Sequence, residues 1–380
     1  MKKFLVILMF FLIIFSCDSS KPVRESNVKT YRINLQKAVN IRLDAIFQNN
    51  VEYIVLDDSL AILKDINKIV FSDLSIFILD QDQQNILRFS KKGKLLNYCG
   101  RKGKGPGEVF YPSDILYKDH KLYVLNGNRK MLVFDTLGTF QNDIKLPMQA
   151  LSFTFNDEIL YLYRGYHSDL KENFRLYSMD GNEIDKYLKV DISEAIPPVD
   201  ISSKNFNQVQ GAIRLHEPLN NTIYKIENKI VSPLYKIDFG EYNLPKEVLG
   251  SKDQFKLLKT LNSGKYAQIT SWLENDNYLM FKFHLEQNGY YFIQNKRSGK
   301  SFLANGFKND INYFPFGEPI ALTSDNELIM KTEAFRILNR REHLLKKEVV
   351  SSEKMDGIYE LSQNLTKLSN PVIFIYKIDF

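Results

Sequence analysis

One pattern of short apolar strands and polar turns recurs along this chain about every 45 residues. The first copy comprises Ser75–Asp80, Ile86–Phe89 and the glycine turn Lys92–Lys94. The second comprises Lys121–Leu125, Met131–Phe134 and Leu137–Thr139, and the third comprises Glu158–Tyr163, Phe174–Tyr177 and Asp180–Asn182. A fixed period with about four short strands per unit is typical of the blades of a β-propeller. The sequence therefore predicts an all-β chain in which loops distant in sequence meet at the two ends of a disc.

The repeat can be followed through six blades, whose strands we label a to d from the central axis outwards. The blades begin near Ile66, Pro112, Ala150, Phe206, Ala267 and Pro319. The sixth blade lacks an outermost strand, and an unclosed ring would leave two exposed sheet edges. We therefore expect the N-terminal strand 51–56 to pair with Pro371–Ile378 and close the last blade. A seven-bladed ring with 31–63 as a partial blade is the alternative, but that stretch supplies few strands.

Two insertions interrupt the period, at about 241–265 and about 331–365. The first carries Phe255, Leu257, Leu258 and Leu261 at near-helical spacing, and the segment Phe335–Val350 in the second has a similar pattern. The first insertion joins strand d of blade 4 to strand a of blade 5, and the second joins strands b and c of blade 6. Both connections fall on the same end of an antiparallel propeller. We expect two short helical insertions that cap this end.

The N-terminus resembles an export signal. Lys2 and Lys3 precede an unbroken apolar run of 12 residues, Phe4–Phe15, which is too short to span a bilayer. Ser16-Cys17 then resembles a bacterial lipobox. We expect a lipoprotein signal peptide over 1–17 with lipid attached at Cys17, a flexible tether over 18–30 and the propeller over 31–380. An ordinary secretory signal, or a retained anchor, is the alternative reading. The expected location is the cell envelope, on the outer membrane or the periplasmic face.

Charge and cysteine content limit the function. The formal net charge is +6, with 51 basic residues interleaved among 45 acidic ones. This distribution does not favour a nucleic acid partner, which would require a basic patch. After removal of the signal peptide Cys99 is the one cysteine besides Cys17. An internal disulfide is therefore not expected, and we interpret Cys99 as a small buried apolar side chain. We expect a monomer.

The run Gly100–Glu108, followed by Tyr111 and Pro112, resembles the hallmark of a large family of bacterial six-bladed β-propeller lipoproteins, which are distantly similar to NHL-repeat propellers. Further agreement comes from 53–56, 221–224, 236–240 and 370–371. The resemblance covers nearly all of the chain after the signal peptide. It implies the propeller fold and an exported, lipid-anchored protein. It implies no particular reaction.

The glycine-rich run also has a physical interpretation of its own. It lies between strand d of blade 1 and strand a of blade 2, where a sharp return to the axis needs positive φ or close backbone approach. It lacks the Gly-Lys-Ser/Thr ending of a phosphate-binding loop, and no helix follows it. We expect a structural loop in which Glu108 pairs with a basic neighbour or caps backbone N–H groups. The loop residues are Gly103, Gly105, Pro106, Gly107 and Glu108.

Three histidines fall in or beside the b-to-c turns of successive blades, at His167, His216 and His284. Converging imidazoles bind Zn²⁺ and leave a position open for water. None of the three is closely spaced with another along the sequence, and turns favour polar residues in any case. A metal-dependent lyase or hydrolase at the capped mouth is therefore the alternative hypothesis. Our first expectation includes no metal and no other cofactor.

Arginine and aromatic residues are expected at the same mouth, a combination that suits carboxylated peptides or acidic glycans. These residues are Arg101, Arg129, Arg164, Arg214, Tyr166 and Trp272. Trp272 could equally belong to the core. The sequence contains no Gly-x-Ser-x-Gly nucleophile elbow, and no catalytic residue is assigned. The first hypothesis is therefore a non-catalytic, membrane-tethered binding or scaffold module for a peptide, a glycan or a partner protein.

Overall fold

The computed structural model describes residues 21–23, 28–127, 129–156, 158–165, 172–189, 205–249, 253–346 and 353–380. Within these residues the chain forms six sheets, each with four antiparallel strands in the order a to d. The expected all-β, six-bladed propeller is confirmed. The signal peptide 1–17, the lipid attachment site Cys17, Tyr166 and His167 lie outside the described residues.

Three strands precede the first blade: β1 (Lys29–Arg32), β2 (Val39–Arg42) and β3 (Phe47–Val55). Blade 1 consists of β4 (Lys68–Phe71), β5 (Ser75–Asp80), β6 (Asn85–Ser90) and β7 (Leu95–Gly100). Blade 2 consists of β8 (Asp114–Lys118), β9 (Lys121–Asn126), β10 (Lys130–Phe134) and β11 (Phe140–Lys145). Blade 3 consists of β12 (Ser152–Phe155), β13 (Ile159–Tyr163), β14 (Glu172–Ser178) and β15 (Glu183–Lys189).

The second half of the ring repeats this arrangement. Blade 4 consists of β16 (Phe206–Val209), β17 (Ala212–His216), β18 (Thr222–Glu227) and β19 (Ile230–Asp238). Blade 5 consists of β20 (Gln268–Glu274), β21 (Tyr278–Leu285), β22 (Asn288–Asn295) and β23 (Ser301–Lys308). Blade 6 contains β24 (Glu318–Leu322), β25 (Glu327–Thr332) and β26 (Val372–Ile378), with β3 as its outermost strand.

Each blade is packed between two neighbours, and the second strand of the blade is therefore buried on both of its faces. In β5 every residue is buried. Ile76 and Ile78 contact residues of blade 6, whereas Phe77 and Leu79 contact residues of blade 2. The period-2 alternation of a strand thus directs apolar side chains to both interfaces. Burial contributes about 1.5–3 kcal/mol for each large side chain, and the ring is held together by the sum.

The ring closes through pairing of the two ends of the chain. β3 pairs antiparallel with β26, from Val372 opposite Val55 to Ile378 opposite Phe47. The innermost strands also meet around the axis, and β24 contacts β4 across the join. After closure each of the six sheets packs on two others, and both faces of every blade are covered.

The N-terminal segment continues this closure along the rim of the disc. β1 adds a fifth strand to blade 4, parallel to β19, and β2 adds a fifth strand to blade 5, parallel to β23. The hydroxyl of Tyr31 donates to the side chain of Gln294 at 2.8 Å. Sequence analysis did not predict these two strands. It placed the tether over 18–30, whereas β1 already begins at Lys29.

Both insertions lie on one end of the disc, which we call the helical face. The first contains α1 (Lys246–Leu249) and α2 (Gln254–Asn262), and the second contains α3 (Ala334–Lys346) and α4 (Glu353–Gln363). The sequence pattern predicts one helix in each insertion, and the structure has two in each. Asp253 caps α2 by accepting from the backbone N–H of Lys256. None of the described helices combines the length and apolar content needed to cross a membrane.

Removing residues 1–56 should leave the ring open, because β26 then loses its partner β3. Buried Phe47 and Leu56 would also be lost, at about 1.5–3 kcal/mol each. We expect this truncated chain to associate through the exposed strand edge and to unfold at a temperature lower by about 5 °C or more. A chain that starts at Lys21 is the control and should stay monomeric. A monomeric truncated chain with unchanged thermal unfolding would contradict this account of closure.

Candidate ligand-binding site

A cavity of about 600 Å³ opens on the helical face, next to the inner strand of blade 5. α2 forms one wall, β20 and β21 form the floor, and the turn between β21 and β22 forms the rim. Glu318, at the start of β24 in blade 6, completes the lining. The full lining comprises Leu258, Leu261, Asn262, Gly264, Tyr266, Gln268, Thr270, Ser271, Lys282, His284, Leu285, Glu286, Gln287 and Glu318.

A β-bulge in β20 turns two hydroxyl-bearing residues towards this cavity. Ile269 pairs with Phe283 and Ser271 pairs with Lys282, so that Thr270 is one residue more than the partner strand can match. Ile269 and Trp272 are both buried against blade 4 although they are three residues apart. The extra residue makes this possible, and it leaves Thr270 and Ser271 together on the cavity side.

The polar groups of the floor differ in how well they are satisfied. The Gln268 side chain donates to the carbonyl of Leu261 at 2.8 Å, which fixes α2 to the floor. The Thr270 hydroxyl is 3.5 Å from the carbonyl of Lys282. The hydroxyl oxygen of Ser271 is buried without a hydrogen-bond partner among the described residues. A buried hydroxyl in this state costs free energy unless something binds it.

The charges around the cavity are unevenly compensated. Glu318 lies 3.3 Å from Lys331, which also pairs with Asp65. Lys282 extends over the ring of Tyr291, with its Nζ 6.0 Å from the ring centroid, and has no ion-pair partner within the described part of the chain. Burial and, to a smaller extent, the charge of Glu318 raise the pKa of Tyr291 to about 12. The floor therefore carries one cationic group, Lys282, that forms no ion pair with a carboxylate of the described residues.

Of the residues predicted for the mouth, His284 lines this cavity, at the end of β21. His216 and Trp272 do not, and their prediction as ligand-binding residues needs correction. Both are buried, at 6% and 1% exposure, and their ring centroids are 6.4 Å apart between blades 4 and 5. Trp272 stacks on Phe281 at 5.4 Å. Trp272 is therefore a core residue, as the second reading of the sequence allowed.

His216 and His284 lie on opposite sides of the sheet of blade 5. Phe283 faces blade 4 together with Trp272, and His284, the next residue along β21, points to the other side. His216 packs on the blade 4 side. The two imidazoles therefore cannot share a metal ion, and His167 lies outside the described residues. No group of three His, Cys, Asp or Glu side chains arranged to hold a metal is found in the part of the chain that the structure describes.

Arg214 is also buried and does not reach the mouth. Its Nε lies 3.6 Å from Glu274, whose fully buried carboxylate is also 2.8 Å from Lys296. The hydroxyl of Tyr235 and the indole N–H of Trp272 donate to the same carboxylate, at 3.3 and 3.2 Å. Strand b of blade 4 runs between two packed sheets, and alternate side chains of this strand consequently face blade 5. Arg214 belongs to this interior ion-pair network.

The other predicted arginines are dispersed. Arg101 is exposed and lies over the ring of Tyr98 at 4.0 Å. Arg129 is exposed in the turn between β9 and β10, where its φ is 57°. Arg164 is 8% exposed, at the end of β13. None of these three lines the cavity beside blade 5, because they lie in connections of blades 1, 2 and 3, which occupy other sectors of the disc.

The glycine-rich loop is organised around Glu108. Its carboxylate accepts from the backbone N–H of Gly105 at 2.7 Å, and a Cβ at Gly103 would overlap this carboxylate. Gly107 has φ of 74°, and a Cβ there would lie 2.9 Å from the Cβ of Phe140. The glycines of this loop, with Pro106 between two of them, therefore allow the chain to fold around one side chain. A separate cavity of about 360 Å³ lies beside it.

Sequence reasoning missed the hydroxyl and lysine groups of the cavity floor. Thr270, Ser271 and Lys282 lie in strands, whereas most of the residues predicted for the mouth lie in or beside turns. A usable signal was present, because Thr270 and Ser271 are two consecutive polar residues between Ile269 and Trp272. Two polar residues in succession break the alternation of a half-buried strand and indicate a bulge.

Comparison with known proteins supplies a family and a fold. The model of a family described as "Domain of unknown function (DUF4934)" matches residues 29–377. The crystal structure of a Bacteroides fragilis protein inferred to be exported is similar, with a TM-score of 0.74 at 16% identity over 93% of this chain and 100% of that one. This likeness concerns the fold.

Two further structures are more distant. A member of the DUF4221 family from Bacteroides vulgatus has a TM-score of 0.49 at 9% identity, over 87% of this chain and 99% of that one. Virginiamycin B lyase from Staphylococcus aureus has a TM-score of 0.39 at 12% identity, over 74% of this chain and 81% of that one. No curated protein matches the chain in sequence.

The buried position of His216 predicts a pH-dependent stability. Burial lowers the pKa of His216 from 6.5 to about 4, against a smaller opposing effect of a hydrogen bond with the backbone of Asn220. The unfolded chain therefore binds the proton more readily, and stability is lost as pH falls from 6.5 towards 4. We expect the free energy of unfolding to decrease by about 2 kcal/mol between pH 7 and pH 5 because of this group.

Chemical denaturation of the native chain and of His216→Phe at both pH values measures this contribution. The variant should lose that part of the pH dependence, whereas His343→Gln, at an exposed position of α3, should retain it. Identical pH dependence of the native chain and His216→Phe would show that this imidazole is not buried in its neutral form.

Proposed function

This chain belongs to the DUF4934 family of domains of unknown function, and we propose that it is an exported, membrane-tethered module that binds its ligand in the cavity beside blade 5. The ligand is a peptide, a glycan or an exposed segment of a partner protein. The single observation that carries this proposal is the cavity of about 600 Å³ on the helical face. Its volume falls within the range of about 300–1,000 Å³ that is typical of ligand sites.

The composition of the cavity lining supports binding of a polar molecule. Leu258, Leu261 and Leu285 supply apolar surface, and hydroxyl, amide, imidazole and ammonium groups supply polar contacts. Known ligand sites combine apolar walls with a small number of placed polar groups in this way. The sheet of blade 5 separates His216 from His284, so these two imidazoles do not form a metal site. We therefore propose a binding module rather than a metal-dependent lyase or hydrolase.

Export and lipid attachment at Cys17 follow from the signal-like N-terminus and are part of the proposal. Lys21 connects the N-terminal segment to the outer strand of blade 3. Its backbone N–H donates to the carbonyl of Lys186 at 3.0 Å, and its Nζ lies 2.7 Å from Asp185. Three residues separate Cys17 from Lys21, and the four steps of the chain between them can extend over about 14 Å at most. The proposal therefore places the rim of blade 3 close to the membrane.

The tether can be tested by replacing Cys17. We expect the native chain, produced in a bacterium with lipoprotein processing, to incorporate labelled palmitate and to fractionate with membranes. Cys17→Ala should remove both properties, while Cys99→Ala, at the buried thiol, should leave them unchanged. A soluble, unlabelled native chain would refute lipid anchoring without bearing on the cavity.

Binding can be tested by filling the cavity from α2. Leu258→Trp places a large ring at the lining, whereas Phe255→Trp lies at an exposed position (86%) of the same helix. Peptide and glycan arrays probed with residues 21–380 should yield a ligand whose affinity falls at least about tenfold in Leu258→Trp and is retained in Phe255→Trp. Equal binding by both variants would place the site elsewhere. Chemical conversion of the bound ligand would contradict a non-catalytic role.

A further inference from the structure

We infer that the ligand of this cavity carries a carboxylate, which Lys282 and the hydroxyl of Ser271 hold at the floor. This inference rests on the proposed function and specifies its ligand class. The bulge in β20, the charges that face the cavity and the unsatisfied hydroxyl of Ser271 support it.

The bulge places the two groups next to each other. Ser271 and Lys282 are directly opposite on β20 and β21, where paired Cβ atoms lie about 4.5–5.5 Å apart. Both residues line the cavity. An ammonium and a hydroxyl at this spacing can donate to the two oxygens of one carboxylate.

Charge compensation leaves Lys282 as the available cation on the floor. The neighbouring cations already have acidic partners: Lys331 pairs with Asp65 and Glu318, and Arg336 lies 3.7 Å from Glu333. Lys282 forms no ion pair with any carboxylate of the described residues. The remaining acidic group of the lining, Glu286, is exposed in the turn at the rim. Lys282 is thus the cation on the floor with which a ligand carboxylate can pair, whereas the carboxylates of the lining lie at Glu318 in blade 6 and at Glu286 on the rim.

Ser271 supplies the second donor after a small rearrangement. Its hydroxyl oxygen is buried and has no hydrogen-bond partner among the described residues. Rotation about χ1 moves this oxygen between staggered positions and can bring it into the cavity. The rotation exchanges an unsatisfied buried hydroxyl for a charge-assisted hydrogen bond, and binding is therefore favoured over the empty state.

Two matched pairs of small molecules test the inference on residues 21–380. N-acetylalanine is compared with its amide, as a probe for a peptide C-terminus, and glucuronate is compared with glucose, as a probe for a uronic acid. We expect at least one acid to raise the unfolding temperature at constant ionic strength and its neutral partner to have no effect. The acid that binds more tightly identifies the source of the carboxylate.

Variants then assign the effect to the floor. Lys282→Met should weaken binding of the acid at least about tenfold, and Ser271→Ala should weaken it several-fold. Lys145→Met, at an exposed position of β11 in blade 2, should bind like the native chain. Stabilisation by the neutral partners, an undiminished effect in Lys282→Met, or no effect of either acid would overturn the inference.

The carboxylate inference and the proposed binding site can be refuted separately. A neutral array ligand that binds the native chain and is blocked by Leu258→Trp would overturn the carboxylate and leave the cavity as the binding site. An array ligand that binds Leu258→Trp and Phe255→Trp equally would remove the proposed site itself.

Discussion

The structure depends on the pairing of the two ends of the chain in one sheet. β3 and β26 come from opposite ends of the sequence, and their antiparallel ladder supplies the outermost strand of blade 6. Without it the last sheet would expose an edge, and the ring would lose the constraint that holds six similar sheets around one axis. The N-terminal segment reinforces this closure, since β1 and β2 also lie on the rims of blades 4 and 5.

Closed packing explains why so many chemically promising side chains are structural. Each sheet is covered on both faces, and a polar residue in strand b must therefore be buried together with partners. Arg214 is held near the Glu274 carboxylate, and His216 lies against Trp272 with its pKa lowered by burial. Polar groups reach a cavity where the regular alternation is interrupted. The bulge of β20 is such a place, and it brings Thr270 and Ser271 to the cavity lining.

Much of the fold could be predicted because a propeller repeats its sequence pattern. Strand b is buried and mostly apolar, as in the four central residues Ile76–Leu79 of β5, and the helical spacing of Phe255 and Leu258 located the first insertion correctly. The rim strands β1 and β2 could not be predicted, because a fifth strand adds backbone hydrogen bonds without a distinctive side-chain pattern. Most of the candidate site was missed for a related reason. The direction of a side chain depends on register, and one extra residue in β20 changes it.

The sequence by itself determined the architecture, since the period, the apolar strands and the missing last strand are all local or countable properties of the chain. Only the tertiary structure decided which polar residues are available to a ligand. Arg214 and Lys282 are both basic residues in second strands, yet one is paired between blades and the other lines an open cavity. The physical reason is that exposure and charge compensation arise from neighbouring sheets that are distant in sequence, and no local pattern records them.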